Sequence, residues 1–271
     1  MIGGTRGVAE RLFAAVESAT QIQPISATDP AFDVPAAYRV LHELHARRRS
    51  QGYRPVGRKI GFTNATIWAR YGVDRPMWSH VWDRTVTFAT DGAAVVSLAG
   101  LMEPRIEPEV VFKLKGPLPS GQDAASLLRA VEWIAPGFEI VHSVFPGWRF
   151  GAADCTAAFG LHGHLAVGTP HFVDDGNRER LAALLSQFTL ELRREATIVE
   201  TGRGANVLGS PALALAHLRD LLTTQPSAPA LGAGEIITTG TLTDAWPVAP
   251  GQTWTGAYGT LGIGELRVQL I

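Results

Sequence analysis

Leu101 to Leu114 reads LMEPRIEPEVVFKL, and its centre, Glu107-Pro108-Glu109, runs directly into the apolar triplet Val110-Val111-Phe112. Valine and phenylalanine favour strands, and alternate strand residues point to the same face. A strand that begins by Glu107 places Glu107, Glu109 and Val111 on one face and Val110, Phe112 and Leu114 on the other. Two carboxylates then stand side by side. At roughly 4 Å and an effective dielectric of about 20 they repel by about 4 kcal/mol. A fold tolerates such a pair in water, by protonating one member, or by placing a divalent cation between them. A solvated strand edge and a metal site are both open from this stretch alone.

The whole chain has 271 residues, 46% of them hydrophobic and 18% charged, with a net charge of −1. That composition is globular and sufficient for a sizeable core, in one large domain or two smaller ones. Charge so close to zero gives no support to a nucleic-acid or anionic-membrane partner. A single cysteine, Cys155, rules out an internal disulfide and fits a reducing compartment. The start, MIGGTRGVAERLFAAVES, lacks the basic end and continuous apolar core of a signal peptide, and no apolar run reaches the ~20 residues of a membrane span. The expected location is the cytoplasm.

Outward from the central stretch, other segments carry chemistry. Gly57-Arg58-Lys59-Ile60-Gly61-Phe62-Thr63 sets a lysine between glycines and apolar neighbours; burial there would lower its pKa and suit it to proton transfer, whereas a solvated turn would leave it inert. Asp123 is predicted to open a helix through Leu127, Leu128, Val131 and Trp133, stopped by Ala135-Pro136-Gly137. Phe138-Glu139-Ile140-Val141 then reads as a strand whose Glu139 faces away from bulky neighbours, toward a polar site. A third acid on a separate strand is what a Mg²⁺ or Mn²⁺ site with oxygen ligands needs.

The remaining segments frame these. Helices are expected over 8–18 and from the Asp33 cap to about Ser50, with His42 and His45 on the surface of the second. The 66–88 region, with Trp68, Trp78 and Trp82, reads as a short helix, a loop and a strand. Asp154 to Gly168 reads as a turn and a strand; its His162-Gly163-His164 is spaced like a metal pair but has no soft ligand nearby. A hairpin over 188–201 turns at Arg194-Glu195, Gly209-Ser210-Pro211 opens a helix, and two glycine-punctuated strands end the chain. The glycine clusters lack the strand and helix context of a dinucleotide site.

Several patches in fixed order resemble one family: GRKIGFT at 57–63, EPRIEPEVVF at 103–112, PGFEIVHS at 136–143, GSPALALAHL at 209–218 and AGEIITTGTLTDAWPVAPGQTW at 233–254. Together they resemble the hydratase/decarboxylase branch of the fumarylacetoacetate hydrolase superfamily, over nearly the whole chain from about residue 35. The resemblance implies an α+β fold: a mixed β-roll, barrel-like around a metal (81–271), with an α/β amino-terminal part (1–80), the two forming one compact unit. It implies that Glu107, Glu109 and Glu139 hold Mg²⁺ or Mn²⁺, that Lys59 is the active-site lysine, and that Thr241 faces the substrate. Gly240 and Arg105 are the accompanying candidates for substrate binding.

Two departures from the family pattern stand out. Where the ring-cleavage hydratases carry P-D-[FY]-G, this chain has Pro76-Met77-Trp78-Ser79; where they carry D-x-x-A-D-N, it has Asp154-Cys155-Thr156-Ala157-Ala158-Phe159. Asp74, Asp83, His80 and Asp154 are the candidates to replace the missing acid. The activity implied is hydration of a 2-hydroxy-2,4-dienoate or 2-oxo-3-enoate, with decarboxylation of a 2-oxo dioate as the alternative and hydrolysis of an acylpyruvate carbon–carbon bond third; a non-catalytic partner of such enzymes is the reading outside catalysis. The implied assembly is a homo-oligomer, with pairing between hydratase and decarboxylase.

Overall fold

The computed structural model describes residues 4–64, 68, 73, 75–225 and 228–271. Helix α1 (Gly4–Glu17) turns Val8, Ala9, Leu12 and Ala15 inward. After the short α2 (Ile25–Thr28), α3 (Val34–Ser50) begins at Asp33, whose carboxylate accepts from Ala36 N at 2.8 Å. Helix α3 packs against α1 and against α5 (Ala152–Ala157). Among the described residues the strands form two sheets. The larger has nine strands: β2 (Met77–Trp82), β1 (Pro55–Gly61), β11 (Ile236–Thr238), β5 (Arg105–Leu114), β6 (Val131–Val141), β7 (His162–Val167) and β3 (Val86–Phe88) in that order, with β12 (Trp246–Pro247) on β5 and β8 (His171–Phe172) on β6. The second has the order β10 (Thr197–Arg203), β9 (Thr189–Arg194), β13 (Thr253–Ala257), β14 (Glu265–Leu270), β4 (Ala93–Val96). Helices α4 (Ala124–Leu128), α6 (Arg178–Gln187) and α7 (Pro211–Thr223) pack on one another; α7 is capped by Ser210, which accepts from Ala212 N.

Two prolines lie inside the long antiparallel pair β5–β6, where a proline ordinarily breaks the ladder. Each sits where the next strand is missing. Beside β5, β12 pairs only with residues 105–106 and β11 only with 111–113, so Pro108 faces a gap. Beside β6, β8 reaches Trp133 and Ile134 while β7 starts at Gly137, so Pro136 faces another. Neither ring displaces a ladder N–H. The first gap is filled by the 239–245 loop: Thr239 Oγ1 donates to Val110 O at 2.8 Å, and Leu242 N to Pro108 O at 2.9 Å.

Several expectations need correction. The helix from Asp123 ends at Leu128, and Val131 to Trp133 already belong to β6. Leu127, Leu128 and Val131 fit a helical stripe, but Val131, Trp133 and Ala135 fit alternation equally well, and pairing with β5 decides the matter. Residues 152–157 are helical rather than a turn. The hairpin turns one residue later, at Glu195-Ala196. His45 is 2% exposed instead of lying on the surface. It stands four residues after Leu41 and seven after Tyr38, hence on the apolar stripe of α3, with its ring 4.5 Å from that of His80. Of the segment expected as a short helix and loop before β2, residues 66–67, 69–72 and 74 lie outside the described residues.

Burial holds the His80 and His142 imidazoles well below their ordinary range, each at about 4, so both are neutral in the fold at pH 7. The unfolded chain takes up their protons near pH 6.5 and the folded chain does not, so stability falls as pH drops from about 6.5 toward 4, by up to about 1.4 kcal/mol per pH unit for each group. Urea titrations at pH 7, 6 and 5 check this. The variant His142→Asn, which keeps an acceptor for Met102 N, should lose one proton's worth of that slope; an unchanged slope would remove His142 from the account.

Candidate metal and substrate site

On the inner face of the large sheet, Glu107 pairs in register with Glu139, and Glu109 stands two residues along β5. One carboxylate oxygen from each of the three lies within 4.8 Å of the others, the one such cluster of potential ligands among the described residues. Glu109 and Glu139 are fully buried and Glu107 is half-buried; Glu107 and Glu109 border a cavity that Glu139 does not reach. Lys59 comes from β1, and its Nζ lies 2.8 Å from Glu139 Oε2 and donates to Gly160 O at 2.9 Å. Glu139 Oε1 accepts from His162 Nδ1 at 2.7 Å. Glu109 Oε2 accepts from Thr238 Oγ1 and from Gly240 N, the latter at 2.7 Å. Beneath the pair Glu109–Gly137, the Tyr258 hydroxyl lies 2.7 Å from Glu109 O and 2.9 Å from Gly137 O, tying the second sheet to the first.

Glycine is required at 240 for two reasons: its φ is +93°, and a Cβ there would stand 1.9 Å from Thr63 Oγ1. Gly57 serves the fold rather than a ligand, since a Cβ would collide with Ile236 O of the adjoining strand.

The electrostatics follow from so much charge in so dry a place. Burial pushes Glu107 up to about 7, against the pull of the Lys59 ammonium and with the help of the Glu139 charge. Burial, then the charges of Glu139 and Glu107, lift Glu109 well above the usual carboxylate range. Burial acts on Glu139 too, but Lys59 and His162 outweigh it and hold its carboxyl low. For Lys59 burial favours the neutral amine, yet Glu139, Glu107 and Glu109 together overcome it and raise the ammonium above its ordinary range. The expected lowering of the Lys59 pKa is therefore corrected: three acids from other strands decide its charge, and they are invisible in the seven residues around it.

The residues present fit a hard divalent cation. The ligand set is all oxygen, Glu109 Oε1 is buried without a hydrogen-bond partner, and burial together with the neighbouring carboxylate charge pushes Glu107 and Glu109 toward their protonated forms.

A cavity of about 140 Å³ opens over this cluster. Of the expected site residues it is lined by Lys59, Glu107, Glu109, Arg105, Gly240 and Thr241. The Arg105 guanidinium stacks on Trp148, 4.1 Å from the ring centre. The Thr241 hydroxyl donates to Thr243 O within its own loop. Asp154 does not line the cavity: its carboxylate is fully buried in hydrogen bonds from Ser26 N, Ser26 Oγ and Gly151 N, joining α2 to the start of α5. Asp83 pairs with Arg54, and His80 is packed among His45 and tryptophans; neither lines the cavity either, and Asp74 lies outside the described residues. Met77 does line it, its sulfur against Gly61 and Gly160. Sequence reasoning missed Asp244, an exposed carboxylate on the cavity wall outside the metal set. The TLTDA loop gave no periodicity from which to aim it. It also missed His162 as a partner of Glu139.

No protein-family model matches the chain. Among curated proteins it is similar to the 2-hydroxyhexa-2,4-dienoate hydratase of Comamonas testosteroni, with 33% identity over 249 residues, 89% of each chain. Among solved structures it is similar to the 4-oxalocrotonate decarboxylase of Pseudomonas putida G7 complexed with magnesium and adipate: TM-score 0.86, 27% identity, 97% of this chain and 95% of the other. The fold, at TM-score 0.59 and 14% identity, extends to the fumarylpyruvate hydrolase of Pseudomonas aeruginosa in complex with Mn²⁺ and pyruvate, over 80% of this chain and 89% of the other.

Metal stabilisation should depend on pH with a definite sign. Glu107 is protonated in the metal-free fold up to about pH 7 but ionises near 4.5 when unfolded, so the metal-free protein loses stability as pH rises between these values. A cation displaces those protons. Thermal unfolding with Mn²⁺ against EDTA should therefore show a larger Tm increment at pH 8 than at pH 5.5; equal increments would contradict the buried-carboxyl account.

Proposed function

Because the chain belongs to the hydratase/decarboxylase branch of the fumarylacetoacetate hydrolase superfamily, we propose that it is a metal-dependent lyase that adds water to a 2-hydroxy-2,4-dienoate or 2-oxo-3-enoate, giving a 4-hydroxy-2-oxo acid. The observation that carries this reading is the convergence of three carboxylates and an ion-paired lysine, with Glu107, Glu109 and Lys59 lining one cavity and Glu139 buried behind them. Glu107, Glu109 and Glu139 would hold Mg²⁺ or Mn²⁺. The bound cation supplies Lewis acidity at the 2-oxo oxygen and takes up the carboxylate charge that otherwise keeps Lys59 protonated.

The chain's own groups do the rest. Arg105, held on Trp148 at the wall, attracts the substrate carboxylate. Met77, Val141 and Leu161 give the carbon chain an apolar lining. Lys59, fixed by Glu139 and Gly160 O, moves the proton that interconverts dienol and enone. Asp244 is the carboxylate placed to orient and deprotonate the added water, the work for which Asp154 is unavailable.

Decarboxylation of a 2-oxo dioate is the second reading. It is favoured by Met77, which puts a thioether rather than an acid beside the Lys59 stem, and by the structural similarity to a decarboxylase. We also propose a homo-oligomer, supported by Phe88 and Phe172, which are 51% and 63% exposed around Trp133. Light scattering at micromolar concentration should give more than 29.0 kDa, the mass of one chain.

The functional test is product analysis with Mg²⁺ or Mn²⁺: a 2-hydroxy-2,4-dienoate should yield the 4-hydroxy-2-oxo acid, while CO₂ release from a 2-oxo dioate would select the second reading. In metal-saturated assays, Lys59→Met should lower kcat by about 10²–10⁴-fold with little change in KM, since substrate still meets metal and Arg105. Asp244→Asn should suppress water addition while proton exchange at the substrate carbon continues. Wild-type hydration in both variants would place the proton route elsewhere.

A further inference from the structure

His162 reaches the metal cluster through an irregularity in the sheet. Strands β6 and β7 run in register from Gly137–Val167 to Ile140–His164, then shift, so that Val141 faces His162 and Gly163 is the extra residue. In an unbroken strand, residues 162 and 164 would share the face opposite Glu139, because Ile140, and not Glu139, pairs with His164. The bulge carries His162 to the Glu139 face and leaves His164 on the other, where it meets Thr87 Oγ1 at 2.8 Å. Glycine at 163 fits this arrangement, since a Cβ there would lie 2.8 Å from Ile140 O.

Once turned inward, the ring is pinned at both nitrogens. Nδ1 lies 2.7 Å from Glu139 Oε1, and Nε2 lies 2.8 Å from Thr85 Oγ1. A carboxylate only accepts, so Nδ1 carries the proton and donates; Nε2 meets the Thr85 hydroxyl, which also lies 3.1 Å from Trp82 O. His162 is 7% exposed and its side chain 2%. Glu139 is thus gripped from two directions, by His162 on Oε1 and by Lys59 on Oε2, 2.8 Å away. With one of these removed, the carboxylate could rotate about its terminal torsion, which is broad and carries little intrinsic preference.

We propose that His162 is a positioning residue for the metal: it fixes the orientation of Glu139, and Thr85 holds the plane of the His162 ring. This rests on the metal reading above. It requires no contact between His162 and the cation or substrate. An imidazole that donates to a ligating carboxylate shapes the lone pairs left to the metal, and loss of such outer partners typically weakens metal affinity by about 10–100-fold.

The test is Mn²⁺ affinity of the full chain, by calorimetry or by the paramagnetic resonance signal of free Mn²⁺, alongside far-UV circular dichroism and Tm. His162→Phe keeps the bulk and removes the donor; it should bind Mn²⁺ about 10–100-fold more weakly. His162→Asn places an amide N–H near the position of Nδ1 and should restore affinity toward wild type. Thr85→Val, which frees the ring without touching it, should fall between them. At saturating Mn²⁺ the Phe variant should show its defect in kcat more than in KM. A folded His162→Phe with wild-type Mn²⁺ affinity overturns the proposal, as does equal weakening in the Phe and Asn variants, which would mark a packing role. If the Phe variant does not fold, Thr85→Val decides: wild-type affinity in it overturns the proposal. A wild-type chain that binds no Mn²⁺ would instead remove the metal reading itself, with Glu139→Gln as the matched control.

Discussion

Three carboxylates within 4.8 Å of one another, two of them sealed from water, are the constraint around which this molecule is arranged. Desolvated like charges are costly, and each neighbouring element supplies part of the compensation. Strand β1 brings the Lys59 ammonium, β7 brings the His162 ring through a bulge, and β11 with its loop brings the Thr238 hydroxyl and the Gly240 N–H. The prolines belong to the same design. Pro108, between the two glutamates of β5, can stand in the strand because the adjacent ladder is interrupted, and that interruption admits the 239–245 loop to the site.

The compensation is uneven, and the unevenness has chemical meaning. Glu139 has a donor in His162 and the Lys59 ammonium 2.8 Å away, which hold its carboxyl low, whereas Glu107 and Glu109 are pushed toward their protonated forms. A site with one fixed carboxylate and two that need positive charge is prepared for a divalent ion more than for a second lysine. Lys59 is caught in the same balance. Its charge is set by the acids, so any change in the charge they present to it changes its readiness to give or take a proton.

Much of this was legible from local pattern. Alternation in RIEPEVVFKL put Glu107 and Glu109 on one face, and the bulky neighbours of Glu139 turned it the same way; the structure brings all three together. The order of short patches along the chain pointed to the fold without a topology being derived. What escaped was set by contacts distant in sequence. The sign of the Lys59 shift depends on carboxylates 48, 50 and 80 residues away, by the difference of their numbers. His162 lies on the far face by strand periodicity, and only the bulge at Gly163, for which a glycine inside a strand is a weak signal, redirects it. Asp154 looked like a free acid because the two serine donors that consume it lie 128 residues earlier. His45 escapes for a simpler reason: a histidine is usually half-exposed, but this one stands on the apolar stripe of α3 and is buried with it.

The central claim is that these three side chains, from two strands, form one metal site. Anomalous diffraction from a crystal soaked in Mn²⁺ tests it most directly. The account predicts a single strong anomalous peak bounded by carboxylate oxygens of Glu107, Glu109 and Glu139, lost in Glu109→Gln. A crystal with no peak there, or with its strongest peak at another group of ligands, would contradict it.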